Sequence, residues 1–245
     1  MKRPLYLISI LLTAALSSCM ECSEVEKTTL FLFVDITDEL NFKEFRKNYE
    51  SDYKLIAPLF EVEKCHAGKF RMYRINDVSQ YKYSEAEYDP IPPDYTDIQI
   101  KTKLGQPFKF NRQVDEIYNE ILTEQFDLDN TVLYEPLCKA LNELASDETS
   151  GKKMVILYSD MLEHSDYMSF YSPKYDTKPQ YETDKVLTEL ETKCQCTLPN
   201  LSNIEIHVVN HRSTKTDNNM RRADLFWREV FKNAKVFHLK SNLDL

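Results

Sequence analysis

The sequence predicts an α/β protein whose doubly wound, mostly parallel sheet carries helices on both faces. The first observation is a set of apolar runs rich in branched and aromatic residues, at 29–36, 153–160 and 204–210. Such runs are typical of strands that are buried on both faces. The second observation is that segments with helical spacing of apolar residues separate these runs, and this alternation favours a parallel sheet.

Shorter patterns place the remaining elements. Apolar residues spaced among charges indicate a helix at 39–57, and residues 69–77 alternate in the manner of a strand. Further helices are predicted at 111–126, 132–145, 182–193 and 219–233, with a last strand at 235–239.

The segment at about 78–106 interrupts this alternation with tyrosines, acidic residues and prolines. Pro92 and Pro93 exclude a helix at that point. We expect an insertion that forms either an extended hairpin or a loop. Tyrosine is favoured at interfaces, so the insertion either contacts a partner or packs on its own domain. The tyrosines concerned are Tyr81, Tyr83, Tyr88 and Tyr95.

The composition excludes several classes of function. The formal net charge of -9 and the pI of about 5.2 argue against a nucleic-acid partner, which requires a basic face. Only three glycines occur, so the chain has neither a glycine-rich phosphate loop nor a dinucleotide-binding fingerprint. A Gly-x-Ser-x-Gly nucleophile motif is absent as well.

The first residues have the features of a signal peptide. Lys2 and Arg3 precede an apolar stretch at 5–16 that is short for a membrane span. The phrase Leu-Ser-Ser-Cys that ends at Cys19 resembles the lipobox of bacterial lipoproteins. In that family the signal is removed before the cysteine, which then carries fatty acids such as palmitate. The resemblance implies a signal peptide at 1–18, and an ordinary secretory signal is the alternative.

The lipobox resemblance also implies a location. An acylated cysteine would anchor the protein to a membrane of the bacterial cell envelope, and we expect the outer membrane. A short acidic tether follows at 19–27, and the folded domain occupies 28–245. The tether resembles, loosely, the acidic signal that sends some lipoproteins of the Bacteroidetes to the cell surface. Periplasmic and surface-facing orientations therefore both stay open.

Four cysteines lie within the predicted domain, and an oxidising envelope allows disulfides among them, in any of three pairings. Cys194 and Cys196 are too close in sequence for a zinc knuckle and lack a second pair at metal-binding spacing. We expect one structural bridge that ties the 194–196 loop to the domain, with the remaining thiols buried. The candidates are Cys65, Cys138, Cys194 and Cys196.

Oxygen-bearing side chains gather at the ends of predicted strands. The phrase Asp-Ile-Thr-Asp-Glu at 35–39 ends the first strand, Asp160 ends a later one, and Thr131 stands before a helix. In open α/β sheets, ligands bind at the carboxyl ends of strands. The order and spacing of these three phrases resemble the von Willebrand factor A family, over roughly residues 28–240.

That resemblance implies a metal-ion-dependent adhesion site that holds Mg²⁺ or Ca²⁺. The ligands it implies are Asp35, Thr37, Thr131 and Asp160, with Glu39 as a further candidate. Hydroxyl and carboxylate oxygens suit such hard cations, and an incomplete shell leaves a position for a carboxylate from a partner. The resemblance therefore implies a domain that binds or scaffolds proteins and catalyses nothing.

The chain departs from the family pattern at two positions. Glu39 stands where the family has serine, and Met161 follows Asp160 where the family usually has glycine. Two alternatives therefore stay open. In one, the polar side chains only cap helices and no metal binds. In the other, the same strand-end carboxylates serve a metal-dependent hydrolase of the envelope, with Asp160, Glu163 and His164 as the candidate hydrolytic residues.

Overall fold

The structure is a computed structural model, and it describes most of the predicted domain. The described residues are 25–60, 65–76, 83–90, 96, 105–125, 130–149, 151–172, 182–211, 218–240 and 245. The predicted signal peptide, the predicted lipid acceptor Cys19, most of the predicted tether, and Tyr81 and Tyr95 lie outside them. Within these ranges, no helix has the length and apolar character needed to cross a membrane.

Six strands and five helices alternate along the described chain. The strands are β1 (Glu26–Asp35), β2 (His66–Ile75), β3 (Tyr83–Tyr88), β4 (Lys152–Tyr158), β5 (Ile204–Val209) and β6 (Val236–Lys240). The helices are α1 (Glu39–Ile56), α2 (Gly105–Leu122), α3 (Tyr134–Ser146), α4 (Thr183–Cys194) and α5 (Asn218–Val230). A short 3₁₀ helix, Ala57–Phe60, follows α1.

The strands form one sheet in the order β3-β2-β1-β4-β5-β6. Every neighbouring pair is parallel except β2 and β3, which are antiparallel. The chain moves outward from β1 to β2 and β3, and then returns to add β4, β5 and β6 on the other side of β1. The strand order therefore reverses between β1 and β4, which is where such sheets bind ligands.

Helices cover both faces of the sheet, so the predicted fold class is confirmed. Successive side chains of a strand point to opposite faces. Leu30, Leu32 and Val34 of β1 belong to one core with residues of α1 and α2. Phe31 and Phe33 belong to a second core with residues of α3, α4 and α5. All five β1 side chains are at most 1% exposed, because β1 is covered on both sides.

The predicted insertion at about 78–106 contributes to the fold at both of its ends. Within it, Tyr83–Tyr88 forms β3 and pairs with β2, and most of the remaining segment lies outside the described residues. The predicted start of the next helix at residue 111 is wrong, since α2 begins at Gly105. Pro107 in its first turn is compatible with a helix, because N–H groups there have no intrahelical partner.

One disulfide joins Cys138 of α3 to Cys196 beyond α4. This bridge ties the 194–196 loop to the domain as predicted, and of the two candidates in that loop Cys194 stays a buried free thiol. Gln195 between them adopts a left-handed conformation that ends α4, and the chain turns before Cys196. Cys65 is also disulfide-bonded, and its partner lies outside the described residues.

We expect Gly68→Ala to destabilise the protein by about 2 kcal/mol, in the range of overpacked cores. A Cβ at Gly68 would collide with the ring of Tyr88 and lie 2.9 Å from Phe60. The Tyr88 ring is buried and packs edge-on against Phe110, so moving it to admit the Cβ would disturb that contact. The free energy of unfolding in denaturant measures the effect.

Gly151→Ala is the matched control, because a Cβ there meets only the Lys27 carbonyl oxygen, at 3.8 Å. Its free energy of unfolding should stay within about 0.5 kcal/mol of the parent protein, as for most surface substitutions. Equal losses in the two variants would show that the close approach of β3 to β2 at Gly68 has no special role.

Candidate metal centre

The candidate centre lies at the carboxyl end of the sheet, at the reversal of strand order. Asp35 is the last residue of β1, and Ser159 and Asp160 follow β4 directly. The segment before α3 reaches the same edge, because the Val132 N–H donates to the carbonyl of Asn76 at the end of β2 (3.1 Å). Three chain segments far apart in sequence therefore meet here.

Asp35 and two threonine hydroxyls form the middle of this group. The Thr37 hydroxyl donates to Asp35 Oδ1 at 2.6 Å, and the Thr37 N–H donates to the same oxygen at 3.0 Å. Thr37 Oγ1 lies 2.5 Å from Thr131 Oγ1, across 94 positions of sequence. The structure therefore brings Asp35, Thr37 and Thr131 together.

The second carboxylate oxygen of Asp35 is bound by Ser159, whose hydroxyl donates to Oδ2 at 2.7 Å. Asp35 has no exposed surface. Burial raises the pKa of its carboxyl above the usual range, although the Thr37 and Ser159 hydroxyls stabilise the charged form. A buried carboxyl surrounded by hydroxyl donors would be further stabilised in its charged form by a cation.

Asp38, rather than one of the predicted ligands, caps α1. Its carboxylate accepts hydrogen bonds from the N–H groups of Leu40 (3.0 Å) and Asn41 (3.4 Å). Glu39 is the first residue of the helix, and its exposed carboxylate pairs with Lys43 one turn later. The structure therefore does not bring Glu39 to the group around Asp35.

Asp160 lies next to an unusual backbone position. Its carboxylate is buried, and Oδ1 accepts from the Leu162 N–H at 3.0 Å. Met161 has a φ of 62°, in the left-handed region that favours glycine. For another residue this conformation costs roughly 1–2 kcal/mol. The Trp227 indole donates to the Met161 carbonyl at 2.8 Å and helps to hold this turn.

Glu163 supplies the cap that α3 otherwise lacks. Leu133, the N-cap residue of α3, makes no side-chain capping bond. Glu163 Oε2 instead accepts from the N–H groups of Leu133 (2.9 Å) and Tyr134 (2.8 Å). Burial raises the pKa of the Glu163 carboxyl to about 7, and the charge of Asp35 also raises it. Its Oε1 has no hydrogen-bond partner within the described chain.

His164 connects this loop to Thr131. The two residues exchange backbone hydrogen bonds of 3.1 and 2.9 Å. His164 Nδ1 lies 2.7 Å from the Ser169 hydroxyl. Glu163 Oε2 is engaged with the amides of α3, and His164 contacts Ser169 rather than Glu163.

The oxygen atoms at this edge suit a hard divalent cation, which prefers hydroxyl, carboxylate and water ligands. Among the residues that the structure describes, no three His, Cys, Asp or Glu side chains are grouped so as to hold a metal. A cation here would therefore depend on Thr37 and Thr131 as well as on Asp35. The unpartnered Glu163 Oε1 adds a buried acceptor near the same charge.

Comparison with known proteins adds only distant likenesses. No family model matches the chain, and no curated protein matches it. The pilus adhesin SpaC from Lactobacillus rhamnosus GG, in its open conformation, matches with a TM-score of 0.46 and 12% identity, over 91% of this chain and 29% of the adhesin. A second structure of SpaC matches with a TM-score of 0.43 and 10% identity, over the same shares of the two chains.

The human COPII-coat protein Sec24c matches with a TM-score of 0.38 and 10% identity, over 82% of this chain and 28% of Sec24c. The chain thus spans less than a third of the length of each of these proteins. Likenesses this distant carry no argument about function, so the function has to be argued from the site.

Sequence reasoning did not assign Ser159 to this group, and it named Glu163 only for the hydrolase alternative. Ser159 could have been found, because Asp35 and Ser159 both follow directly on apolar runs that predict parallel strands. The structure pairs Val34 with Tyr158 and so places Ser159 beside Asp35. The sequence carries no comparable signal for Glu163. Its role follows from the missing cap of α3, which only the folded chain reveals.

We expect Glu163→Gln to flatten the dependence of stability on pH. The pKa of Glu163 is about 7 in the folded protein, against an ordinary value of 4.5. The protonated Glu163 carboxyl therefore contributes fully to the free energy of unfolding below about pH 4.5, and this contribution is lost as the pH rises through about 7. Relative to the parent, the variant should gain up to roughly 3 kcal/mol of unfolding free energy between about pH 5 and 8.

Denaturant unfolding at several pH values, with a chelator present to remove metal ions, measures this difference. Glutamine keeps an oxygen that can accept from Leu133 and Tyr134, so the cap of α3 is retained. Parallel stability curves for the two proteins would contradict the proposed ionisation of Glu163.

Proposed function

We propose that the chain is a protein-binding or scaffolding domain of the bacterial cell envelope, anchored by a lipid on Cys19, that binds its partner through a divalent cation. The observation that carries the proposal is the approach of the Thr37 and Thr131 hydroxyls to 2.5 Å beside the buried carboxylate of Asp35. Hydroxyls from two separate segments converge there on the charge that a cation would neutralise.

A second Asp-x-Thr turn in the same chain shows what is special about the first. The Thr149 N–H and hydroxyl donate to Asp147 Oδ1 at 3.0 and 2.6 Å, the same distances as from Thr37 to Asp35. The second turn is exposed, and Asp147 pairs with Lys27 instead. The turn alone is therefore a common local structure, and the facing hydroxyl of Thr131 distinguishes the candidate site.

Mg²⁺ or Ca²⁺ would be held by Thr37 and Thr131 through their hydroxyls and by Asp35 and Asp160 directly or through water. The bound ion would supply a positive charge with a free coordination position, which suits a carboxylate of a partner protein. The chain itself orients the hydroxyls, since Asp35 fixes Thr37 and the backbone bonds to His164 fix Thr131. This proposal gives the domain no catalytic role.

Exposed apolar side chains near the centre favour a protein as the partner. Leu40 is 44% exposed, two residues after the Asp38 cap. Tyr171 is 52% exposed, and its ring meets the His164 ring edge-on at 5.5 Å. Tyrosine is enriched in protein interfaces, whose buried parts are largely apolar.

The direction of β1 also supports the proposal. The strand begins at Glu26, next to the predicted tether, and ends at Asp35. Ten residues of strand span about 30 Å. The candidate centre therefore lies at the opposite end of β1 from Glu26, the residue at which the sheet follows the predicted tether.

We expect the full chain, freed of metal by a chelator, to bind Mg²⁺, Ca²⁺ or Mn²⁺ saturably in calorimetric titration. Thr37→Val and Thr131→Val each remove one hydroxyl at nearly constant shape and should weaken binding at least about tenfold, or about 1.4 kcal/mol. Thr149→Val makes the same change in the matched exposed turn and should bind metal as the parent does. Absence of binding, or equal effects of all three substitutions, would contradict the proposed metal centre.

Partner binding needs a measurement of its own. Peptides that carry aspartate or glutamate should bind the metal-loaded chain and be released when a chelator is added. Thr131→Val should not retain them. Acidic peptides that bind equally well with and without metal would contradict a cation-dependent interface while leaving the result of the metal titration intact.

A further inference from the structure

A cleft between α1 and α2 is separate from the candidate metal centre. It encloses about 430 Å³ on the face of the sheet that these two helices cover. No residue of the candidate metal centre contributes to it. Its walls are Tyr49, Glu50, Tyr53, Lys54, Asp115, Tyr118 and Asn119.

Three tyrosine rings shape this cleft at different angles. Tyr118 is buried, and its ring packs in stacked orientation against Phe45 and Phe70, at 6.1 and 5.8 Å. The Tyr53 ring stands at 72° to the Tyr118 ring, with centroids 5.7 Å apart, and the Tyr49 ring is tilted by 33° at 6.4 Å. The rings therefore surround a volume rather than form a flat platform.

Two carboxylates accompany the rings. The Tyr49 hydroxyl donates to Glu50 at 3.3 Å, and Tyr53 is hydrogen-bonded to Asp115. A phenol that donates to a carboxylate gains electron density on its ring, which makes the ring face more attractive to a cation. With Lys54 as the single basic residue of the lining, the formal charge of the cleft is negative.

We propose that this cleft binds an alkylated ammonium group, either of a small molecule or of a modified lysine side chain. Ammonium groups are attracted to the faces of aromatic rings, and cages of several rings recognise methylated ammonium ions. The two carboxylates disfavour anionic ligands, and the angles between the rings disfavour a flat ligand that needs one continuous stacking surface. The proposal does not rest on the metal centre, because the two sites share no residue.

The first experiment titrates the full chain with choline and with its neutral carbon isostere, 3,3-dimethyl-1-butanol, followed by the NMR signals of the tyrosine rings or by calorimetry. Choline should bind saturably, and the isostere at least about tenfold more weakly, because it has the shape but lacks the charge. Equal affinities would show an apolar cleft only, and no binding of choline or of trimethyl-lysine would overturn the proposal.

Paired substitutions test the rings and the charge. Tyr49→Leu should weaken choline binding at least about tenfold, whereas Tyr49→Phe keeps a ring and should retain most of it. Asp115→Asn should weaken binding, whereas Glu116→Gln should not, because Glu116 is an exposed neighbour that pairs with Arg112. Equal affinities in all four variants would overturn the placement of the ligand in this cleft. Thermal unfolding of each variant confirms that the fold is kept.

A third arm distinguishes the source of the ammonium group. A peptide that carries trimethyl-lysine should bind the cleft more tightly than choline if the ligand is a protein side chain. The reverse order indicates a small molecule. Either order supports the shared chemistry, provided that Tyr49→Leu weakens the binding of the tighter ligand.

Discussion

One buried carboxylate organises the segments that meet at the carboxyl end of the sheet. Asp35 ends β1 and accepts hydrogen bonds from the turn that starts α1 and from Ser159 beyond β4. Burying a carboxylate costs free energy unless hydrogen-bond donors surround it. Each segment that supplies a donor to Asp35 is therefore held in place. Thr37 extends this constraint to Thr131 and to the loop before α3. The candidate metal centre is thus a consequence of how the protein accommodates Asp35.

The strands at the centre of the sheet were predictable because both of their faces are buried. Phe31, Leu32 and Phe33 form a continuous apolar run for that reason. The edge strand β3 was not predictable as a definite strand, since Tyr83–Tyr88 contains one aliphatic residue among polar and acidic ones and gains its hydrogen bonds from β2. β3 forms because it pairs with β2, and no pattern within residues 83–88 indicates that pairing.

The candidate site was predictable to a similar extent. Asp35 and Thr131 stand at positions that strand ends and helix starts make visible, and the structure brings them together. Glu39 could not be placed from sequence, because Asp38 takes the cap position and α1 then directs Glu39 toward Lys43. Glu163 belongs to the site because it caps α3, whose own N-cap residue makes no side-chain bond. This contact depends on tertiary packing.

The position of β1 has a mechanical consequence. Over its whole length β1 is hydrogen-bonded to β2, and over seven of its residues also to β4, both in parallel. A force that pulls the amino end of β1 against the carboxyl ends of β2 and β4 acts along β1 and loads these two ladders in shear. Under shear many hydrogen bonds must yield together, whereas peeling breaks them one at a time. The sheet therefore resists such a force along the direction from the first residue of β1, which follows the predicted tether, to the candidate centre.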